Sequence, residues 1–219
     1  MTAARLYESI LDRDQADAGA LHMLGVLRQQ QGNSGLAVDL IERALVLRPD
    51  IAVFHASLAE AQRALGQFER AVASGCEALG RGLDDPAVAN NLGLSLHGLE
   101  RYEEAAGAFL AALRSRPNDP MAHTNLGTTL HALGENDRAL QHLSWAVELD
   151  PGSASARTNL GQFLLDLGLP VEAWPHCQAA VALNPDLAEA HNNLGNAFRA
   201  LGQIANAVVC FDEIGRAHV

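Results

Sequence analysis

Residues 122–151 read AHTNLGTTLHALGENDRALQHLSWAVELDP, and the landmarks of this stretch recur along the whole chain. Leu126 has counterparts at Leu24, Leu58, Leu92, Leu160 and Leu194, each 34 residues from the next. The residue that follows is small every time: Gly25, Ala59, Gly93, Gly127, Gly161 and Gly195. Twelve residues on stand Ala37, Ala71, Ala105, Ala139, Ala173 and Ala207, and seven after that Ala44, Ala78, Ala112, Ala146 and Ala180. Pro49, Pro117, Pro151 and Pro185 close four of the units. Several position types in phase over six periods exclude chance and point to stacked copies of one small structural unit.

The physical content of the pattern is helical. Small residues mark points where two helix backbones approach, and a larger side chain there would push them apart. Between them lie the bulky positions Ile41, Phe109, Leu143, Cys177 and Phe211. Proline lacks an N–H and cannot continue a helix, so it ends each unit. First helices are therefore predicted near 18–31, 52–65, 86–99, 120–133, 154–167 and 188–201. Second helices are predicted near 34–47, 68–81, 102–115, 136–149, 170–183 and 204–216. Gly32, Gly66, Gly134, Gly168 and Gly202 serve the turn inside each hairpin. Two irregularities stand out. Gly75 occupies a bulky position, with Leu83 in place of the closing Pro, and Pro175 falls inside a second helix, where it should distort the first turns.

The pattern resembles the tetratricopeptide repeat, whose signature is Leu-Gly in the first helix, then Ala, a bulky residue and Ala in the second, then Pro. That resemblance covers almost the whole chain. It implies an all-α fold, a right-handed superhelix (an α-solenoid) of antiparallel helix hairpins with the first helices lining a concave face. The units fall at 18–51, 52–85, 86–119, 120–153, 154–187 and, truncated, 188–212. Residues 1–17 place Ala3, Tyr7 and Ile10 in phase with second-helix positions, which reads as a lone second helix of a partial repeat or an N-terminal cap. The ending from Glu213 to Val219 back-translates as GAG ATC GGA AGA GCA CAC GTC. From its second base that string matches a common short-read sequencing adapter, so 213–219 is expected to be an artefact and native sequence to end at Asp212.

Composition narrows the function. The chain carries a formal charge of −11, and all 15 of its basic residues are Arg. An acidic chain does not attract phosphate backbones, so a nucleic-acid partner is not expected. No apolar run approaches the roughly 20 residues that cross a bilayer, so no membrane partner is expected either. Cys76, Cys177 and Cys210 fall in no metal or redox spacing and read as buried or half-buried free thiols of a reducing, cytoplasmic compartment. There is no phosphate loop, nucleophile elbow or metal-binding helix motif, so neither catalytic residues nor a metal or other cofactor are expected.

Charge is unevenly distributed. The six first helices hold four Arg against three acids, a net of +1, whereas the other 11 Arg and 23 acids give −12 elsewhere. The inner layer is thus nearly neutral and polar. Its most regular feature is an Asn just before the Leu-Gly pair: Asn91, Asn125, Asn159 and Asn193, with Met23 and Ser57 in the first two units. An amide offers one acceptor and two donor hydrogens, so it can pair with a peptide backbone of any sequence. Helices roughly 8–10 Å apart match about three residues of extended ligand per unit. Asn90, Thr124, Thr158 and Asn192 flank this ladder, and Thr128, Gln162 and Asn196 follow one turn on. His97 and His131, equivalent positions in adjacent units, complete the candidate peptide-binding set. His55, His123 and His191 stand where the family often carries an aromatic, which suggests packing. The Asn ladder is similar to the superhelical repeat region of O-linked N-acetylglucosamine transferases. The expected partners are therefore proteins or peptides in extended conformation, held by a scaffold. The alternative is the recognition arm of a larger glycosyltransferase.

Overall fold

The computed structural model describes residues 3–216, with side chains through Glu213, so most of the 213–219 ending lies outside the described residues. The described residues form thirteen helices and no strand. They fall into two compact units, residues 1–116 and 117–219. The first holds α1 (Ala3–Arg13), α2 (Ala18–Gln30), α3 (Ser34–Leu47), α4 (Ala52–Ala64), α5 (Phe68–Gly80), α6 (Pro86–Gly98) and α7 (Tyr102–Ser115). The second holds α8 (Pro120–Ala132), α9 (Asn136–Leu149), α10 (Ala154–Asp166), α11 (Pro170–Leu183), α12 (Ala188–Ala200) and α13 (Ile204–Arg216). Within each unit the helices pair into antiparallel hairpins, and each second helix also packs on the first helix of the following hairpin. Every hairpin helix lies within a residue of its predicted span.

The local signals that cut the chain into helices are visible side chain by side chain. Asp17, Asn33, Asp85, Asp119 and Ser153 cap helix starts by accepting a backbone N–H of the first turn. Pro86 and Pro120 follow two of these caps at the first helical position, where the missing N–H costs nothing. Inside the hairpins the chain reverses through a left-handed residue. Five turns use Gly for it, as at Gly134 with φ +76°, and the third uses Glu100 with φ +59°. Gly134 N–H bonds to the His131 carbonyl and Glu135 N–H to that of Leu130, which satisfies the end of α8.

Each hairpin closes on one contact. A Cβ placed on Gly127 would lie 2.7 Å from Leu143 Cγ and 3.2 Å from Leu143 backbone N. The same approach joins Gly25 to Ile41, Gly93 to Phe109, Gly161 to Cys177 and Gly195 to Phe211. Around it Leu126, Ala139, Leu143 and Ala146 are fully buried, and fully burying one such Leu is worth about 1.5–3 kcal/mol. In the 52–85 unit both partners are small. The space beside Gly75 is filled by Leu92 of the next hairpin, whose Cδ1 stands 3.6 Å from where a Cβ would lie. That unit closes without proline through Gly82, φ +84°, and α5 ends at Gly80.

Pro175 does not break α11, which runs from Pro170 through Leu183. Proline is tolerated here because it is exposed and within the second turn, and the carbonyl to which it cannot donate, that of Val171, belongs to an exposed residue.

The closing prolines have partners of their own. Their loop carbonyls lie outside the helices, and His55 Nε2 donates to that of Pro49 at 2.9 Å. His123 bonds that of Pro117 at 2.9 Å, and His191 that of Pro185 at 2.8 Å. Arg157 Nε does the same for Pro151 at 3.1 Å. Where proline is missing the donor is missing too: Gln15 is followed six residues on by Leu21, and Leu83 by Ala89.

The two kinds of glycine should respond oppositely to alanine. Gly75→Ala meets only ordinary contacts and raises helix propensity, so stability should rise by about 0.5–1 kcal/mol. Gly127→Ala must displace Leu143 and should cost about 1–3 kcal/mol net. Urea denaturation of both variants checks this, and midpoints that move in the same direction would refute the assignment.

Candidate functional site

The first helices carry the ladder, and its rungs do not share one environment. In the first unit Asn90 and Asn91 lie half-buried on α6, and Ser95 Oγ donates to the Asn91 carbonyl at 2.9 Å. Ser57, the rung on α4, is hydrogen-bonded to His22 Nε2 at 2.9 Å, whereas Met23 on α2 is exposed. A cleft of about 80 Å³ lies between α2 and α4, lined by Gln29, Gln30, Ser57 and Glu60. Gln29 Oε1 is buried there without a hydrogen-bond donor.

In the second unit Asn125 and Asn159 are half-buried and line one cleft of about 170 Å³ with Thr124, Met121, Asp150 and Ser155. Asn159 Nδ2 donates to the Ser155 carbonyl of its own helix at 3.0 Å. Thr124 Oγ1 and Thr128 Oγ1 turn back onto the carbonyls of Pro120 and Asn125. Asn196 is half-buried and Asn192 exposed.

Two expected surface residues are instead inside. Thr158 is 5% exposed, its hydroxyl bonded to the Ala154 carbonyl at 2.8 Å. Asn193 is 4% exposed, and its amide donates to the Thr158 carbonyl at 3.2 Å. Here α12 packs so closely on α10 that the amide enters the seam and satisfies a backbone group of the neighbouring helix. This rung joins helices and offers no open surface.

The two candidate histidines are also engaged. His97 stacks edge-on against Tyr102, ring centres 5.1 Å apart, and burial lowers its pKa. His131 Nε2 pairs with Asp166 Oδ2 at 3.2 Å, its Nδ1 lies 3.2 Å from Asn136 Oδ1, and its ring sits edge-on to Phe163. Gln162 Nε2 donates to the other Asp166 oxygen at 2.6 Å, so these three side chains form one fixed polar cluster.

Sequence reasoning missed a second cluster, at His142. The Pro117 carbonyl only accepts, so His123 carries its proton on Nε2 and its Nδ1 accepts when the ring is neutral. His142 Nδ1, 2.9 Å away, must then be the donor. The rings are stacked at 5.1 Å, and Trp145 packs edge-on against both, at 5.5 and 5.3 Å. Burial, then the charges of His123 and Arg138, lower the His142 pKa to about 4.

Among the described residues no group of three or more His, Cys, Asp or Glu is placed to hold a metal ion. No helix among them is long and apolar enough to cross a membrane. Cys177 is buried under Gly161, and burial pushes its thiol up to about 12, so it serves as packing. Cys210 is buried as well, but Cys76 is exposed, contrary to expectation, because it faces outward on α5.

The architecture defines a helical-repeat protein built from stacked hairpins. Family profiles described as tetratricopeptide repeat match residues 22–82, 56–120, 124–188 and 188–214, so the chain belongs to the tetratricopeptide repeat family. No curated protein matches it in sequence. Among solved structures it is similar to YrrB, described as a TPR protein with an unusual peptide-binding site. The TM-score is 0.68 at 23% identity over 86% of this chain and 97% of that one. PilF of Pseudomonas aeruginosa gives 0.76 at 22% identity over 94% and 93%. PilW, described as a type IV pilus biogenesis factor, gives 0.80 at 22% identity over 88% and 90%. At these identities the likeness is one of fold.

The His142 pair sets a pH dependence. The folded value near 4 lies below the ordinary 6.5, so the unfolded chain takes up this proton first as pH falls. The contribution is fully present above pH 6.5 and is lost progressively towards pH 4. Partial solvent exposure screens it to on the order of 1 kcal/mol. Denaturation of the wild type and His142→Gln across that window should show their stability difference change by this amount. Parallel curves would contradict the assignment.

Proposed function

We propose that the chain is a protein-interaction scaffold whose first-helix surface in the second unit holds an extended peptide through the half-buried amides of Asn125 and Asn159. The observation that carries this reading is the cleft in the second unit, where consecutive rungs, Asn125 and Asn159, face one space. An amide pair one helix spacing apart can bond the backbone of an extended chain at every third residue or so. The near-neutral charge of the first helices imposes no strong charge selection, so the backbone, common to all ligands, is the natural target. Among the similar folds, YrrB is described as having a peptide-binding site, which is in keeping with this use of the surface. Thr124, Thr128, Gln162, Asn192 and Asn196 supply secondary polar contacts. Thr158 and Asn193 hold the wall in place.

The test begins with peptides selected from a random display library on the wild-type chain. Asn125→Ala with Asn159→Ala should weaken the selected peptides by about 10- to 100-fold, since each lost hydrogen bond is worth about 0.5–1.5 kcal/mol. Thermal unfolding should stay within a few degrees of wild type. Undiminished binding by the double variant would remove the ladder from the function.

A further inference from the structure

A larger pocket lies apart from the amide cleft, in the second unit, at the loop before α8. Pro117, Asn118, His123, Trp145, Glu148 and Leu149 enclose about 310 Å³. That is the lower end of the ~300–1,000 Å³ range for small-ligand sites and suits one long side chain. The pocket is a product of the repeat itself. Gln15, Ala16, Leu21, Arg43, Val46 and Leu47, each 102 residues earlier, enclose about 230 Å³ in the first unit. The backbone therefore makes the hollow, and the side chains choose the occupant. The first-unit version has an Arg and aliphatic walls, and the second-unit version has an indole, an imidazole and a carboxylate.

The second version is rigidly built. His123 is tied to the Pro117 carbonyl and to His142, and both imidazoles pack edge-on against Trp145. Trp145 nevertheless remains 40% exposed. Glu148 is exposed one turn further along α9 and has no ion pair among the described residues. No Arg lines the pocket, and His142 gains no charge until about pH 4. The nearest base along α9, Arg138, is paired with Glu135. An aromatic ring beside a carboxylate that makes no ion pair among the described residues attracts a cation through both the ring quadrupole and direct pairing. A planar guanidinium can stack on the one and fork onto the other. We propose that this pocket binds an arginine side chain of a protein partner, with its guanidinium between Trp145 and Glu148.

Trp145 and Trp174 are the two tryptophans of the chain, so Trp174→Phe leaves Trp145 as a sole reporter. The probe is acetyl-Gly-Arg-Gly-amide, with the citrulline and norleucine peptides as neutral controls, followed by Trp145 fluorescence. A saturable response is expected for the arginine peptide on the order of 1 mM. Citrulline should bind about fivefold more weakly, and Glu148→Gln should weaken the arginine peptide by a similar factor. Adding Asn125→Ala and Asn159→Ala should change nothing, which separates this site from the amide cleft. Equal binding of citrulline or norleucine would overturn the proposal in favour of a plain apolar slot. Arginine binding that survives Glu148→Gln, or no saturation at tens of millimolar, would also overturn it. Far-ultraviolet circular dichroism confirms that the variants remain folded, which is expected because Glu148 is exposed.

Discussion

Two helix backbones can come within a side chain's thickness only where one of them has no side chain of consequence. That constraint organises every hairpin of this chain. The Gly of each Leu-Gly pair leaves a notch, and the bulky residue at the matching point of the second helix enters it, whether Ile41, Phe109, Leu143, Cys177 or Phe211. The identity of the occupant hardly matters, since an aromatic ring, an aliphatic chain and a thiol all serve. Closeness is what counts. Once the notch is filled, the buried alanines can pack against the facing helix, and the Leu before each Gly is driven inward. The 52–85 unit shows the same constraint met another way, because Leu92 of the next hairpin fills the space when both local partners are small.

A second constraint governs the joints. A proline that closes a unit leaves its carbonyl in a loop with no helical donor, free to take a side-chain partner. In four units a His or Arg six residues later supplies the donor. The two units that close without proline place Leu21 and Ala89 at that point instead. Proline and donor therefore work as one device. The aromatic that the family pattern favours at these positions accounts for the size of the histidines but not for the ring nitrogen's task.

The fold was legible because its constraints are tied to residue type. A notch needs a small residue, a left-handed turn favours Gly, and a proline ends a helix, so all twelve hairpin helices could be placed within a residue. Glu100 marks the limit of such reasoning: the turn geometry persists, φ +59°, where the favoured residue does not. The candidate site was less legible. Thr124 and Thr158 hold the same register, as do Asn159 and Asn193, yet one of each pair is open and the other buried. Register fixes the face of a helix on which a side chain lies. How tightly the next helix closes over it depends on all the residues in the seam, and a repeat pattern averages those away. The fates of His131 and Asp166, 35 residues apart, were hidden for the same reason, since they meet only across two hairpins.

A repeat scaffold thus separates shape from chemistry. The pockets at 15–47 and 117–149 have the same lining positions, because the period copies the backbone, while the residues at those positions share almost nothing. Residues in the notches and turns cannot vary in this way without opening a hairpin. Those that face a hollow or a cleft carry no such burden, so they are where differences between units accumulate at little cost to stability. Trp145 illustrates the distinction. Equivalent positions hold Arg43, Glu77, Ala111 and Ala179, so the fold requires no aromatic there. A large residue whose ring is held edge-on by two imidazoles, and which is left two-fifths exposed, is a costly choice for a position that tolerates alanine. Its presence is better explained by something that contacts the ring than by the packing of the hairpin that carries it.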